Sequence, residues 1–412
     1  MKKKALICIG ASRLQSPTLR WAREAGLFVV ATDRNQDAPG RELADRFVCV
    51  DGGDVDGLVA LAEEVDAVHG LVGAYASSDF GLESVARIGA VTGTPANRAE
   101  AVRLSLDKDA ATRIWRDRGL AVPEGRLVRN ATELNLALKK LGTPVVVKPI
   151  GASGSMGVRV ARSVSDAEEA FQKALAATED STGAGVLVEK RLEGRHLDVN
   201  AFFRDGGFRP AGILDRHFTP APHCVPIWGT QPSTATAEEV QAVYSLVEEG
   251  ARALGLEVGP VKADVIWTEN GPYLLEIAPR FHGDVSTSFV SPIVYGKSPV
   301  QAWFASLADA GGPFDDMPAR TEQIAGWMAV LPPHPGVVRG VHGLDQARAH
   351  KGIEAAFAIK SDGFRVHTLG DNRAVCGFLW AKGRTHQEVE EHLRAAHALV
   401  RVETEATCPS VA

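Results

Sequence analysis

Two short apolar runs, residues 261–267 and 273–277, flank Glu269, Asn270 and Gly271, and each run carries one acid: Asp264 in the first and Glu276 in the second. Their β-branched and aromatic residues predict a hairpin. A three-residue loop, with Gly271 in the left-handed region, sets Asp264 directly opposite Glu276, with Cβ atoms roughly 4.5–5.5 Å apart on one face. Facing carboxylates repel each other in an apolar sheet. A magnesium ion removes that penalty and takes oxygen ligands of this kind, completed by water and phosphate oxygens. Arg280 continues the same face at period two from Glu276 and offers a planar cation for phosphate oxygens. The register depends on loop length, because a two-residue loop moves it by one position. A surface hairpin with unrelated acids is the alternative, and the apolar surroundings argue against it.

The first hundred residues alternate strand and helix. Residues 5–9, 27–31, 47–50 and 67–72 read as strands, and Leu19, Ala22 and Ala25 give one intervening helix an apolar face closed by Gly26. This rhythm predicts an α/β fold that opens on a doubly wound parallel sheet. The first turn, Gly10 to Gln15, lacks the G-x-G-x-x-G order of a dinucleotide fingerprint, so a nicotinamide site is not expected. Asp107 caps a helix running to about Arg118, Asn130 or Thr132 caps another ending at Gly142, and Thr236 with Glu239 forms a capping box before a strongly amphipathic helix. Asp205-Gly206-Gly207 reads as a hairpin turn. Leu307 to Arg320 is rich in Gly, Pro and Asp and reads as a boundary. Beyond it, short strands and a closing helix from Gln387 to about Val400 predict a compact C-terminal α+β domain, frayed after Thr404.

A second chemical signal lies at residues 145–158. Two β-branched strands flank a loop holding Gly151, Gly154, Gly157, Ser153 and Ser155, with Met156 among them and Lys148 at its mouth. Glycines let successive amides face an anion closely, and serine hydroxyls add donors. The order is not that of a Walker loop. A plain hairpin with a flexible turn is the alternative. A third signal is residues 186–194, where Glu189, Lys190 and Leu192 sit at a strand end. Backbone groups at such a break can bond an adenine edge and Leu192 can pack on its face; an exposed strand terminus with solvated charges is the plainer reading.

Composition narrows the function class. The formal net charge of −6, without a basic block, argues against nucleic-acid binding. Lys2 to Lys4 resemble the start of a signal peptide, but the apolar run after them is five residues long, too short for one. No run approaches the ~20 apolar residues that span a bilayer, so no membrane association is expected. The five cysteines are scattered, with Cys8 and Cys49 in apolar strand-like runs. Buried free thiols in a reducing cytoplasm are the expectation.

These signals, in this order, resemble the ATP-grasp superfamily of carboxylate–amine ligases. The opening residues from Gly10 to Asp51 look like the pre-ATP-grasp (biotin carboxylase N-terminal-like) domain, and residues 275–284, LEIAPRFHGD, look like the metal strand. The C-terminal extension is most similar to that of the L-amino acid ligases. The resemblance implies a pre-ATP-grasp domain at 1–106, a two-lobed ATP-grasp domain at 107–310 with a flap or lid at about 124–192, and the α+β domain at 318–404. It implies that Lys108 and Lys148 bind phosphate and that the loop from Gly151 to Gly157 (Ser153, Gly154, Ser155, Met156) covers it. Glu189, Lys190 and Leu192 match the adenine contacts, and His196 matches the ribose contact. Asp264 and Glu276 match the magnesium ligands, with manganese able to substitute. Arg280 matches the arginine that holds the transferred phosphoryl group. The family often has Asn two residues after the second carboxylate; here Ala278 stands there, which bears on a second metal ion.

The activity implied is that of an ADP-forming ligase that phosphorylates a small-molecule carboxylate and passes it to an amine, in the cytoplasm, with a homodimer common among similar enzymes. Arg216 is expected to pair a substrate carboxylate, Asp215 an ammonium, and His217 or His282 an acyl-phosphate oxygen, with Trp228 nearby; loop residues with structural partners are the alternative for each. A purine-type ligase acting on formate or bicarbonate is a second reading. A non-catalytic nucleotide-binding protein is a third, against which Lys148, Asp264, Glu276 and Arg280 argue.

Overall fold

The computed structural model describes residues 3–178, 185–309 and 321–406. Strands β1 (Ala5–Ile9), β2 (Phe28–Asp33), β3 (Arg46–Cys49) and β4 (Leu71–Ala76) form a parallel sheet in the order β3-β2-β1-β4. Their near-continuous apolar sequences fit strands covered by helices on both faces. Cys8 is buried there, its thiol pushed up to about 12 by burial, whereas Cys49 is exposed on edge strand β3, contrary to the expected buried pair. Cys408 lies outside the described residues.

A second sheet, in the order β5-β8-β6-β7, comprises β5 (Gly125–Val128), β6 (Val145–Pro149), β7 (Arg159–Ala161) and β8 (Val186–Lys190). Helices Ala131–Leu141 and Val164–Ala176 bury Leu134, Leu138, Phe171 and Ala174 against it. Asn130 and Ser163 accept backbone N–H bonds at the two helix starts, and Asp107 does the same for helix Lys108–Asp117.

The third sheet carries the site. It contains β9 (Arg195–Arg204), β10 (Gly207–Phe218), β11 (Pro226–Gln231), β12 (Gly259–Thr268) and β13 (Gly271–Ala278), then β14 (Ile324–Val330), β16 (Ile353–Ala358) and β18 (Gly377–Gly383), in the order β13-β12-β9-β10-β11-β14-β18-β16. Strands β15 (Gly336–His342), β17 (Arg365–Val366) and β19 (Arg401–Glu405) make a small sheet beside it. Asp205 and Gly206, both at positive φ, turn the chain from β9 into β10.

Strand β14 pairs with β11 (Trp228 with Met328, Gln231 with Ala325), so the C-terminal residues extend the central sheet. Helix Pro299–Ala308 packs Phe304 and Leu307 into the first core with Leu6, Leu19 and Tyr75. Part of the expected boundary, residues 310–320, lies outside the described residues. No helix among the described residues is long and apolar enough to cross a membrane.

Candidate active site

Strands β12 and β13 pair from Thr268 opposite Gly271, so the turn is the two residues Glu269 and Asn270. That register alone would misalign the acids. It shifts between Asp264 and Val265, where Leu275 is the extra residue of a β-bulge, and beyond the shift Asp264 stands opposite Glu276. The expected pair forms by a different route: a shorter turn corrected by a bulge. On the other side Asp264 pairs with Asp198 of β9, which places three carboxylates in a row across β13, β12 and β9.

Cations of the protein itself offset them. Lys262 Nζ lies 2.7 Å from Glu276 Oε1 and 3.2 Å from Asp264 Oδ2. Lys108 Nζ lies 3.5 Å from Glu276 Oε2 and donates to the Ala152 carbonyl at 2.7 Å. Arg216 pairs with Asp198 at 2.5 Å and reaches within 3.9 Å of Asp264 Oδ1. Burial alone would raise both Asp264 and Glu276. Lys262 and Arg216 instead hold Asp264 at about 2, and Lys262 and Lys108 hold Glu276 well below the usual range. Burial also opposes the charge on Lys262, but Asp264 and Glu276 outweigh it.

His282 is buried, with Nδ1 2.9 Å from an Arg216 nitrogen and Nε2 3.2 Å from the Ala263 carbonyl and 3.3 Å from Asp264 Oδ1. A guanidinium only donates, so Nδ1 accepts and the proton sits on Nε2. Burial, then Arg216, keeps the ring neutral. His282 is thus engaged through both nitrogens and braces Arg216 beside Asp264. His196, pushed down to about 4 by burial and then by Arg216, lies on the same face, edge-on to Phe218.

The expected residues divide. Lys108, Asp264, Glu276, Arg216 and His282 come together in this network. Lys148 is buried in the second sheet, its Nζ 2.7 Å from Glu189 Oε2, while Glu189 Oε1 is buried without a hydrogen-bond partner. Lys190 is exposed and Leu192 half-buried at the end of β8. In the glycine-rich loop Gly154, Ser155 and Gly157 have φ of +65°, +61° and +69°, and the Gly154 carbonyl accepts the Asn372 N–H at 3.0 Å. Ser153 and Met156 close a turn there, Met156 N donating to the Ser153 carbonyl. Arg280 is held bidentate by Asp79 of the first domain, at 2.6 and 3.1 Å.

Asp215, His217 and Trp228 lie elsewhere. Successive strand residues face opposite ways, so Asp215 and His217 point away from the Arg216 face. Asp215 accepts from Ser233 Oγ at 2.6 Å and Thr234 N at 2.8 Å. His217 stacks on Trp228, ring centroids 3.8 Å apart. All three have structural partners, the alternative that the sequence leaves open for them. Three residues of the network were not picked out from sequence: Lys262, Asp198 and Asp79. Lys262 could have been, since it precedes Asp264 by two positions on one strand. Asp79 lies 201 residues from Arg280 in the chain and has no local signal.

The donor set fits magnesium. Two carboxylates face each other on one sheet face, and Asp264 Oδ1 is buried without a hydrogen-bond partner.

Residues 141–288 match the family model described as ATP-grasp domain, and residues 328–405 match that of L-amino acid ligase C-terminal domain 2. Uncharacterized protein y4rH of Sinorhizobium fredii is 27% identical over 242 residues, covering 58% of this chain and 50% of that protein. The chain thus spans about half the length of that relative. The formate-dependent phosphoribosylglycinamide formyltransferase of Paraburkholderia xenovorans is 26% identical over 412 residues, covering 96% of this chain and 95% of that one. The L-amino acid ligase from Bacillus licheniformis superposes with a TM-score of 0.82 at 17% identity, over 98% of this chain and 100% of that one. At that identity the likeness is one of fold.

Proposed function

We propose that the chain is an ATP-grasp ligase that forms an amide bond between a carboxylate, most simply that of an amino acid, and an amine, through an acyl phosphate. The observation that carries this reading is the Asp264–Glu276 pair across the bulged hairpin, flanked by Lys262 and Lys108. The match of residues 328–405 to the L-amino acid ligase C-terminal domain favours an amino acid as the carboxylate.

In this reading the triphosphate lies between the glycine-rich loop and the hairpin. Lys108 and Lys148 bind its phosphates, and Glu189, Lys190, Leu192 and His196 border the nucleoside. Magnesium, held by Asp264 and Glu276, supplies positive charge to the phosphate oxygens. A substrate carboxylate oxygen, oriented by Arg216, attacks the γ-phosphorus and ADP leaves. Arg280 stabilises the transferred group. The amine nitrogen then attacks the acyl carbon, phosphate leaves, and the nitrogen gives up a proton. The loop from Gly151 to Gly157 keeps water from the acyl phosphate. Asp198 fixes the Arg216 guanidinium, and His282 supports it through Nδ1.

A second reading, a purine-type ligase using formate or bicarbonate, draws on the 26% identity to the formyltransferase across nearly the whole chain. Phosphate release from ATP separates the two, measured with single amino acids, with pairs, and with a ribonucleotide amine plus formate or bicarbonate. Stimulation by a particular amino-acid pair, with a product of the summed mass less water, is the expected result. Stimulation only by the ribonucleotide mixture transfers the assignment to the second reading, and tight ATP binding without turnover on any mixture would remove both.

A further inference from the structure

Lys262 and Ala278 stand directly opposite each other on β12 and β13, one pair beyond the Asp264–Glu276 level on the same face. The alanine offers no oxygen to a metal. Lys262 is 5% exposed, and its ammonium bridges the two acids from that side, 2.7 Å from Glu276 Oε1 and 3.2 Å from Asp264 Oδ2. One oxygen of each carboxylate is thereby engaged. Asp264 Oδ1 accepts no hydrogen bond but faces His282 Nε2 at 3.3 Å and Arg216 at 3.9 Å, and Glu276 Oε2 has the longer 3.5 Å approach of Lys108.

We infer that the site takes a single divalent cation and that Lys262 serves as its second positive charge. The inference rests on the nucleotide reading above. Two carboxylates that already share an ammonium keep one oxygen each, Asp264 Oδ1 and Glu276 Oε2, for a metal ion. A second ion on the Lys262 side would have to displace a buried, hydrogen-bonded ammonium and would find only a methyl group across the strands. A fixed lysine also supplies its charge without a separate binding event, so it acts as a preorganised partner to phosphate oxygens. Lys148 and Arg280 do not bridge the carboxylate pair; each pairs with an acid elsewhere, Glu189 and Asp79.

The test counts metal ions. The full chain is saturated with the non-hydrolysable analogue AMP-PNP and titrated with Mn²⁺, and free Mn²⁺ is read by electron paramagnetic resonance. The wild type is expected to bind one Mn²⁺ per chain. The double variant Lys262→Met/Ala278→Asn, which removes the ammonium and adds an oxygen ligand opposite it, is expected to bind two. Lys262→Met alone should lower kcat by ~100-fold with little change in the KM for ATP. Two ions on the wild type would overturn the inference, and this measurement needs no variant to fold. One ion on a folded double variant, or an unchanged kcat in Lys262→Met, would remove the lysine from the role. Failure of AMP-PNP and Mn²⁺ to bind at all would instead overturn the nucleotide reading.

Discussion

The two faces of the central sheet are built from alternate residues of the same strands, yet they follow opposite rules. On one face Val199, Val261, Ala263, Val265, Leu274 and Ile277 pack against Val243, Val247 and Ala251 of helix Ala237–Ala253. On the other, one residue away in sequence, lie Asp198, Lys262, Asp264 and Glu276. The first face is held by burial of apolar surface and tolerates changes that conserve volume. The second is held by charge pairing, where loss of one partner strands another in a low-dielectric setting. The bulge at Leu275 connects the two, because it decides which residue of β13 faces which way.

The largest expected effect breaks that connection. Inserting an alanine between Leu275 and Glu276 carries Glu276 one position past Asp264 and turns its side chain to the apolar face. ATP turnover and nucleotide-dependent Mn²⁺ binding should both be lost, and retention of either would show that the bulge does not set the site. Next come Asp264→Asn and Glu276→Gln. Each should cost at least ~1000-fold in kcat while circular dichroism stays native. Near-normal turnover in both would remove the carboxylate pair from the chemistry.

The apolar face should respond in stability rather than in rate. Leu274→Ala should lower stability to urea by about 2–5 kcal/mol while kcat at low temperature changes less than ~3-fold. A large kcat loss without destabilisation would blur the division between the faces.

A smaller effect is expected from Asp284, buried against Ser77 Oγ at 2.9 Å and pushed up to about 7 by burial. Its folded-state pKa lies above the unfolded value, so the folded protein binds the extra proton and loses stability as pH rises from about 4 to about 7. Asp284→Asn removes that loss. Its Tm should exceed the wild type's by a few degrees (~3 °C or more) at pH 8 and match it at pH 4.5; an equal offset at both pH values would contradict the burial argument. The smallest change is expected from His217→Ala, which should leave kcat within ~3-fold. A fall of ~100-fold would return that side chain to the substrate.

Some of this is legible in the sequence and the rest is not. Asp264 and Glu276 can be paired because each sits in an apolar strand with a glycine between the runs, a local pattern. The route to the pair differs because a bulge leaves no mark in composition, so the turn is read with one residue too many. The helix starts at Asp107, Asn130 and Thr236 are readable from their capping side chains, which act within three or four residues. Strand β10 is not. Its end, Asp215 to His217, carries polar residues on both faces, so the period-two signal disappears and the segment reads as loop. Strand β11 is hidden by its prolines and by a partner, β14, almost a hundred residues later. Asp79 on Arg280 belongs to the same class: contacts made between distant segments have no local signature.

The pairing of β11 with β14 has a further consequence. A chain cut after residue 320 would leave the backbone amides and carbonyls of β11 from Trp228 to Gln231 as a raw edge, open to strand addition from another copy. Strands β14, β18 and β16 therefore act as the sheet's own terminator. Any attempt to shorten the protein to residues 1–320 has to replace that cover before it can ask about activity.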